Sequence, residues 1–183
     1  MKLEEIFDAY YDRVYRFIFF RVRDTYDAED IASEVFVRVA KNLRKYDAQK
    51  ASLSTWIFTI ALNEIRRDCG CRHSELPLEA AENAPMADES LDLVLANEQT
   101  IELSFALAQL EEKQRTAVLL RYYGDMSYKE IARAMKLSET NVSTIISRSI
   151  KKLKYYFEKC DKTESAGYKE ISPKETEGGY VRQ

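Results

Sequence analysis

Hydroxyl, amide and basic side chains recur at helical spacing in the segment from residue 138 to residue 154. Those that share one face of the expected helix, or flank it, are Thr140, Asn141, Thr144, Ser147, Arg148, Lys151 and Lys152. Hydroxyl and amide groups bind phosphates or base edges, an arginine can grip a guanine edge with two hydrogen bonds, and lysines attract phosphates. The face therefore has the chemistry that a DNA major groove requires. The alternative is an ordinary solvated, mildly basic face of a helical hairpin.

The residues just before this face predict how it is positioned. The run Ser127-Tyr128-Lys129-Glu130 fits a capping box, in which Ser127 caps a helix and Glu130 reaches back to the Ser127 N–H. Lys136-Leu137-Ser138 is short enough for a turn, and small Ala132 would let two helices cross closely. The segment therefore predicts a helix-turn-helix. Its candidate DNA contacts outside the second helix are Ser127, Tyr128 and Lys129.

Two other clusters could carry chemistry. Asp30 and Glu34 lie one helical turn apart, a spacing that suits either acid–base catalysis or a solvated helix face. The only histidine is His73, and there is no glycine-rich phosphate loop, so no other part of an active site accompanies them. Cys69 and Cys71, with His73, offer three metal ligands where a structural zinc site takes four. We expect free thiols, no metal and no cofactor, with metal or redox sensing as the alternative.

Helices must present all of these groups. The chain has 183 residues, of which 45% are hydrophobic and 32% charged, with five glycines and three prolines. This balance favours helix over sheet. The net charge of −3 argues against a uniformly basic surface but allows local basic faces. Since no apolar run approaches the ~20 residues of a membrane span and the N-terminus lacks an apolar signal core, we expect a cytoplasmic protein without membrane insertion.

Apolar periodicity predicts an all-α protein with two small helical domains. Helices from Leu3 to Arg23, from near Asp27 to Leu43 and from Leu53 to about Gly70 would enclose the core of a first domain, residues 1–72. Residues 73–89 are acidic, contain no Lys or Arg and include two prolines, which indicates a flexible linker. Helices from Ser90 to Gln109 and from Gln114 to Tyr123 join the helix-turn-helix in a second domain, residues 90–159. The tail, residues 160–183, is polar and aperiodic, and we expect it to be disordered.

The order and spacing of these motifs resemble the extracytoplasmic-function sigma factors, small bacterial transcription initiation factors. Asp27–Phe36 is similar to the polymerase-binding helix of the family. Ser54–Ile57, with Ile60–Asn63 and Arg66–Asp68, is similar to its promoter-melting helix. The start of its second DNA-binding domain is matched by Leu110, Gln114-Arg115, Leu119–Tyr122 and Met126–Ala132. The resemblance covers about Ile6 to Phe157, apart from most of the linker.

The resemblance implies a division of labour between the domains. The first would capture a flipped base of the minus-ten promoter element, with contacts from Tyr46, Lys50, Ser52, Leu53, Asn63, Arg66 and Arg67. It would also bind core RNA polymerase, with contacts from Asp27, Asp30, Glu34, Phe36 and Arg38. The helix-turn-helix would anchor the minus-thirty-five element. The resemblance also implies an anti-sigma factor that clamps both domains and could hold the protein near the membrane. It implies no small-molecule substrate.

Three positions depart from the family pattern and leave the promoter sequence open. Ser33 stands where the family usually has glutamine, and Ser143 and Ile145 stand where it often has basic residues. The competing interpretation is a stand-alone helix-turn-helix regulator, which would not need Asn63 and the arginines behind a polar loop. An enzyme is a weaker third interpretation, because no nucleophile–base pair is visible.

Overall fold

The computed structural model describes residues 2–75 and 98–167, and these two ranges contain helices and no strand. The first domain consists of α1 (Leu3–Val22), α2 (Thr25–Asn42) and α3 (Leu53–Glu75). The second consists of α4 (Glu98–Ala108), α5 (Glu112–Tyr122), α6 (Tyr128–Met135) and α7 (Glu139–Gly167). The expectation of an all-α protein with two helical domains is confirmed. None of the described helices combines the length and hydropathy that a membrane crossing needs.

The junction between α1 and α2 follows from local backbone preferences. Arg23 ends α1 in the left-handed conformation, with φ 63°, and Asp24 is extended. The Asp24 carboxylate accepts a hydrogen bond from the Asp27 N–H at 2.8 Å and so caps α2. The prediction that α2 begins near Asp27 is therefore wrong by two residues, because Asp24 supplies the cap.

The apolar stripes of the first three helices meet in one core. Its fully buried members include Ile6, Val14, Phe17, Ile18, Val35, Val39, Ile57 and Phe58. A short 3-10 turn (Leu43–Lys45) and a polar loop separate α2 from α3. The loop ends at Ser52, whose Oγ accepts from the Thr55 N–H at 3.1 Å and caps α3. The core therefore fixes α3, the helix expected to open promoter DNA, against the other two.

The helix-turn-helix is confirmed in its details. Ser127 Oγ accepts from the Glu130 N–H at 3.3 Å, and the Glu130 carboxylate accepts from the Ser127 N–H at 2.8 Å, which completes the capping box. Lys136 ends α6 in the left-handed conformation, and Ser138 caps α7 by accepting from the Asn141 N–H at 3.2 Å. Ala132 is buried, as close packing of α6 against α7 requires.

Two predicted boundaries are corrected by the backbone. Helix α7 continues to Gly167, so the expectation of disorder is wrong for residues 160–167, while residues 168–183 lie outside the described chain. Helix α3 continues past Gly70 to Glu75, because a single helical glycine costs only ~1 kcal/mol and no proline intervenes. The rest of the expected linker, and the start of the helix predicted from Ser90, also lie outside the described residues.

Candidate nucleic-acid interface

One side of α7 presents the polar face predicted from the sequence. All of its predicted contacts are exposed, while Val142, Ile146 and Leu153 are buried on the other side. Thr144 Oγ1 donates to the Thr140 carbonyl at 3.0 Å, and Lys152 Nζ donates to the carbonyl of Gln109. The side chains of Arg148 and Lys151 extend the basic character of this exposed face. The arrangement suits a helix that lies in a DNA groove.

The start of α6 lies beside this face. Ser127 and Lys129 are exposed, and the ring of Tyr128 is 36% exposed beneath the guanidinium of Arg121, at 5.6 Å from its Cζ. Arg121 also donates to the Met126 carbonyl at 3.0 Å, so the cation is held in place. Tyr128 is thus a fixed platform at the helix N-terminus, where the helix dipole favours phosphate.

The loop before α3 is ordered by its own hydrogen bonds. Tyr46 Oη donates to the Ala51 carbonyl at 3.1 Å, and the Gln49 N–H donates to the Asp47 carboxylate at 3.0 Å. The ring of Tyr46 lies 5.2 Å from that of Trp56. Lys50 and Ser52 are exposed on this loop, and Leu53 is half-buried where α3 begins. The loop therefore presents a shaped surface beside α3.

A surface hollow of about 380 Å³ lies between α2, the 3-10 turn that follows it and α3. It is lined by Arg38, Asn42, Lys45, Trp56, Ile60, Asn63 and Glu64. Trp56 is half-buried: one part of it packs against the core, and its remaining surface lines the hollow. Asn63 is exposed there and offers both a donor and an acceptor to a base edge.

A buried carboxylate that the sequence interpretation missed lies behind Asn63. Glu64 is 5% exposed and forms ion pairs with Arg38 Nε at 2.5 Å and Arg67 Nη2 at 2.6 Å. Glu34 extends the cluster to both arginines, at 3.4 and 3.7 Å. The cluster thus joins Arg38, which is predicted to contact the polymerase, with Arg67, which is predicted to contact DNA. The sequence did carry one signal for this buried carboxylate, because Glu64 is a charged residue within the apolar stripe of α3.

The expected polymerase contacts occupy one side of α2, with one exception. A second hollow, of about 340 Å³, is lined by Asp30, Ile31, Glu34, Glu64, Arg67 and Asp68. Phe36 is only 7% exposed, and its ring packs 4.9 Å from that of Phe7. Phe36 therefore contributes to packing, and Phe7 is the aromatic residue that remains 43% exposed beside it.

The described residues include no group of His, Cys, Asp and Glu arranged to hold a metal ion. The side chains of Cys69, Cys71 and His73 lie outside the described part, so the thiol and metal hypotheses stay predictions.

A three-helix domain joined to a helix-turn-helix domain, each with a polar face suited to DNA, defines a two-domain DNA-binding protein. Residues 6–73 match the family described as sigma-70 region 2, and residues 100–153 match sigma-70 region 4. The sigma factor SigK of Mycobacterium tuberculosis is 30% identical over 148 residues, covering 79% of this chain and 78% of SigK. SigX of Bacillus subtilis is 28% identical over 160 residues, covering 84% and 82%. The chain belongs to the extracytoplasmic-function RNA polymerase sigma factors.

Solved structures show the same fold. The sigma factor RpoE from Bartonella quintana, in complex with the anti-sigma factor NepR, aligns with a TM-score of 0.65 at 20% identity and covers 85% of this chain and 96% of that one. CnrH, in complex with the cytosolic domain of CnrY, aligns with a TM-score of 0.56 at 20% identity and covers 84% of each. The protein is a transcription initiation factor that directs RNA polymerase to promoters. Because region 2 accounts for the first domain, the stand-alone regulator is excluded.

Proposed function

We propose that the first domain opens the minus-ten element while α7 anchors the minus-thirty-five element. The observation that carries this proposal is the hollow at Asn63, which lies between α2 and α3. A hollow of this size suits a small planar ligand, and Asn63 can hydrogen-bond to the Watson–Crick edge of a flipped base. Capture of the base offsets the cost of unstacking it, which is a few kcal/mol.

The test compares two templates for the same promoter. We expect Asn63→Ala to reduce open-complex formation by about tenfold on duplex DNA, as the loss of a base-specific contact would. On a template whose minus-ten element is already mismatched, the defect should shrink, because the unstacking cost is no longer required. Arg148→Ala is the matched control, since it should impair both templates equally. Equal defects of Asn63→Ala on both templates would contradict a role in melting.

The polymerase would bind on the exposed acidic side of α2. Asp30 lines the second hollow, whereas its neighbour Glu29 lies near Tyr11 and Tyr15 on another side of the helix. Asp30→Lys should therefore weaken binding to core polymerase at least tenfold, and Glu29→Lys should change it little. Binding of fluorescently labelled core enzyme measures both. If the two variants lose affinity equally, the contact surface is not the one proposed.

The functional units proposed here are residues 1–72 and 90–159, joined by the acidic linker 73–89, with no catalytic activity of their own. The solved RpoE structure contains the anti-sigma factor NepR, which supports the proposal that such a partner restrains this chain too. If that partner is anchored in the membrane, the chain should sediment with membranes in resting cells and move to the soluble fraction on induction. Soluble recovery in both states would argue against tethering.

A further inference from the structure

The hollow at Asn63 is formed by one face of α3 and one face of α2. Trp56, Ile60 and Asn63 are spaced four and three residues apart, so they share a face of α3. Arg38 and Asn42 are one helical turn apart and share a face of α2. Trp56 and Ile60 make part of the lining apolar, which suits the flat surface of a base. The polar groups of the lining come from both helices.

The charges around this hollow are already engaged, with one exception. Arg38 and Glu64 form an ion pair at 2.5 Å. Arg66, expected to hold minus-ten phosphates, instead donates to the Ala134 carbonyl of α6 at 3.4 Å. Lys45 lines the hollow from the 3-10 turn, is exposed and forms no ion pair with the residues that the structure describes. Lys45 is therefore a cation that can hold a phosphate beside the hollow, while the base itself has to be recognised by uncharged groups.

Asn42, the last residue of α2, has its side-chain amide in a fixed orientation. Its Nδ2 donates to the Arg38 carbonyl at 3.0 Å. A backbone carbonyl can only accept, so the nitrogen of the amide must face it. The amide oxygen, Oδ1, then points away from that carbonyl, and no donor within the described ranges reaches it. Asn42 therefore has a free acceptor whose orientation is set by its own helix.

Asn63 by itself does not discriminate between bases. Its amide carries an acceptor on one side and a donor on the other, and turning the amide over exchanges them. It can pair with an amino group beside a ring nitrogen, as in adenine and cytosine. It can pair equally with a carbonyl beside a ring N–H, as in guanine and thymine. Selection among the bases therefore needs a second polar group that cannot turn over.

We propose that Asn42 is a specificity-determining residue of this hollow and that its Oδ1 accepts from an exocyclic amino group of the captured base. The inference rests on the proposed capture of a flipped base at Asn63. An amino group carries two N–H bonds, so it can reach Asn42 while the same edge of the base stays paired with Asn63. Adenine, cytosine and guanine carry such a group. Thymine presents two carbonyl oxygens and a single N–H, so it would leave the Asn42 acceptor unpaired, and a site built for hydrogen bonding rejects such a base.

The test uses the full chain with core polymerase on a promoter library whose minus-ten element is randomised. Sequencing of the templates recovered in open complexes gives the base preference at each position. Asn63→Ala should flatten the preference at one position, which identifies the captured base. At that position the wild type should disfavour thymine about fivefold or more, as the loss of one hydrogen bond would. Asn42→Leu, which keeps the size of the side chain but has no acceptor, should remove this bias.

Lys41→Leu is the matched control for Asn42→Leu. Lys41 precedes Asn42 on the same helix, is exposed and is not part of the lining of the hollow. Its variant introduces the same leucine one position away. We therefore expect it to disfavour thymine as strongly as the wild type does.

A base analogue keeps the test decisive if Asn42→Leu lowers open-complex formation with every base. Where the preferred base is cytosine, 2-pyrimidinone lacks only the amino group; purine and hypoxanthine serve in the same way for adenine and guanine. With the wild type, the analogue should reduce open-complex formation about fivefold or more. With Asn42→Leu the reduction should be smaller, because the partner of one N–H is already missing.

No bias against thymine in the wild type, an unchanged bias in Asn42→Leu, or an equal loss from the analogue in both proteins would overturn the role of Asn42. Base capture at Asn63 would still stand in each of these cases, as long as Asn63→Ala flattens one position. If Asn63→Ala flattens no position, the proposed capture itself fails, and the role of Asn42 fails with it.

Discussion

At the scale of single residues, Glu64 organises much of the first domain's candidate surface. Its carboxylate is buried between two arginines that belong to different helices, Arg38 on α2 and Arg67 on α3. These arginines are 36% and 53% exposed, so water still reaches one side of each guanidinium. Glu64 thereby fixes the direction of both cations behind Asn63, and Arg67 is available to DNA only as far as this pairing allows.

Replacing Glu64 by alanine should lower the free energy of unfolding by about 2 kcal/mol. This is below the range for a fully buried pair, because the two arginines left behind can be hydrated. Urea denaturation of the full chain measures the change. Asp8→Ala removes an exposed carboxylate of α1 and should stay within about 0.5 kcal/mol of the wild type. A loss for Glu64→Ala no larger than that of the control would show that the cluster does not stabilise the fold.

The Glu130 carboxylate should make stability depend on pH in the acidic range. Burial opposes its charge, but hydrogen bonds from Ser127 and Thr55 more than compensate and hold its pKa below the ordinary value. The unfolded chain therefore takes up the proton at a higher pH than the folded chain does. The stabilisation is complete above the ordinary pKa of about 4.3 and is lost as the pH falls through the lower, folded value.

Glu130→Gln should accordingly flatten the loss of stability between about pH 5 and pH 3. Urea midpoints measured at a series of pH values give the slope for each protein. Glu158→Gln changes an exposed carboxylate on α7 and should leave the slope nearly as in the wild type. Parallel curves for Glu130→Gln and the wild type would count against the role of this carboxylate.

At the scale of elements, the turn between α6 and α7 determines where the recognition helix starts. Lys136 adopts φ 57° and ψ 45°, a left-handed conformation that costs a residue with a Cβ atom ~1 kcal/mol or more. Its N–H bonds back to α6, and the Leu137 N–H bonds to the Ala132 carbonyl at 2.9 Å. The turn thus keeps its geometry with a residue less suited to it than glycine.

Lys136→Gly should stabilise the chain by about 0.5 to 1 kcal/mol, because glycine adopts this conformation without strain. Arg133→Gly, inside the same helix and also exposed, should instead destabilise it by about 1 kcal/mol. Thermal unfolding followed by circular dichroism compares the two. A lower melting temperature for Lys136→Gly would mean that the lysine side chain stabilises the fold by more than its left-handed backbone conformation destabilises it.

At the scale of the whole molecule, a net charge of −3 has to coexist with binding to a polyanion. The positive charge that DNA binding needs is concentrated on one surface, because α7 carries Arg148 and Lys151 on its exposed face. The contact between the domains is a second property of the whole molecule, since the buried side chains of both domains form one continuous hydrophobic cluster.

Binding to an upstream duplex should weaken steeply with salt, and Lys151→Gln should reduce the slope of log K against log salt by about 1. Lys41→Gln removes an exposed lysine of the first domain and should leave that slope unchanged. Fluorescence anisotropy over a range of salt concentrations measures both. An unaltered slope for Lys151→Gln would remove this lysine from the phosphate contacts.

Features that arise within one or two helical turns were predictable from the amino-acid sequence. The capping box of Ser127 and Glu130, the turn at Lys136 and the buried side of α7 depend on neighbours three or four residues apart, so their patterns are visible in the chain. The order of the motifs was enough to indicate the family. The start of α2 was misplaced because two aspartates, Asp24 and Asp27, both suit a cap, and only the backbone decides between them.

Contacts between groups far apart in the chain become visible only when the helices are packed together. Thr55 and Glu130 are 75 residues apart, and Arg13 and Tyr123 are 110 apart, so no local periodicity records their contact. The same holds for Glu64, whose partner Arg38 lies on another helix. Such pairs form because packing of the helices leaves charges and hydroxyls where only a distant group can satisfy them.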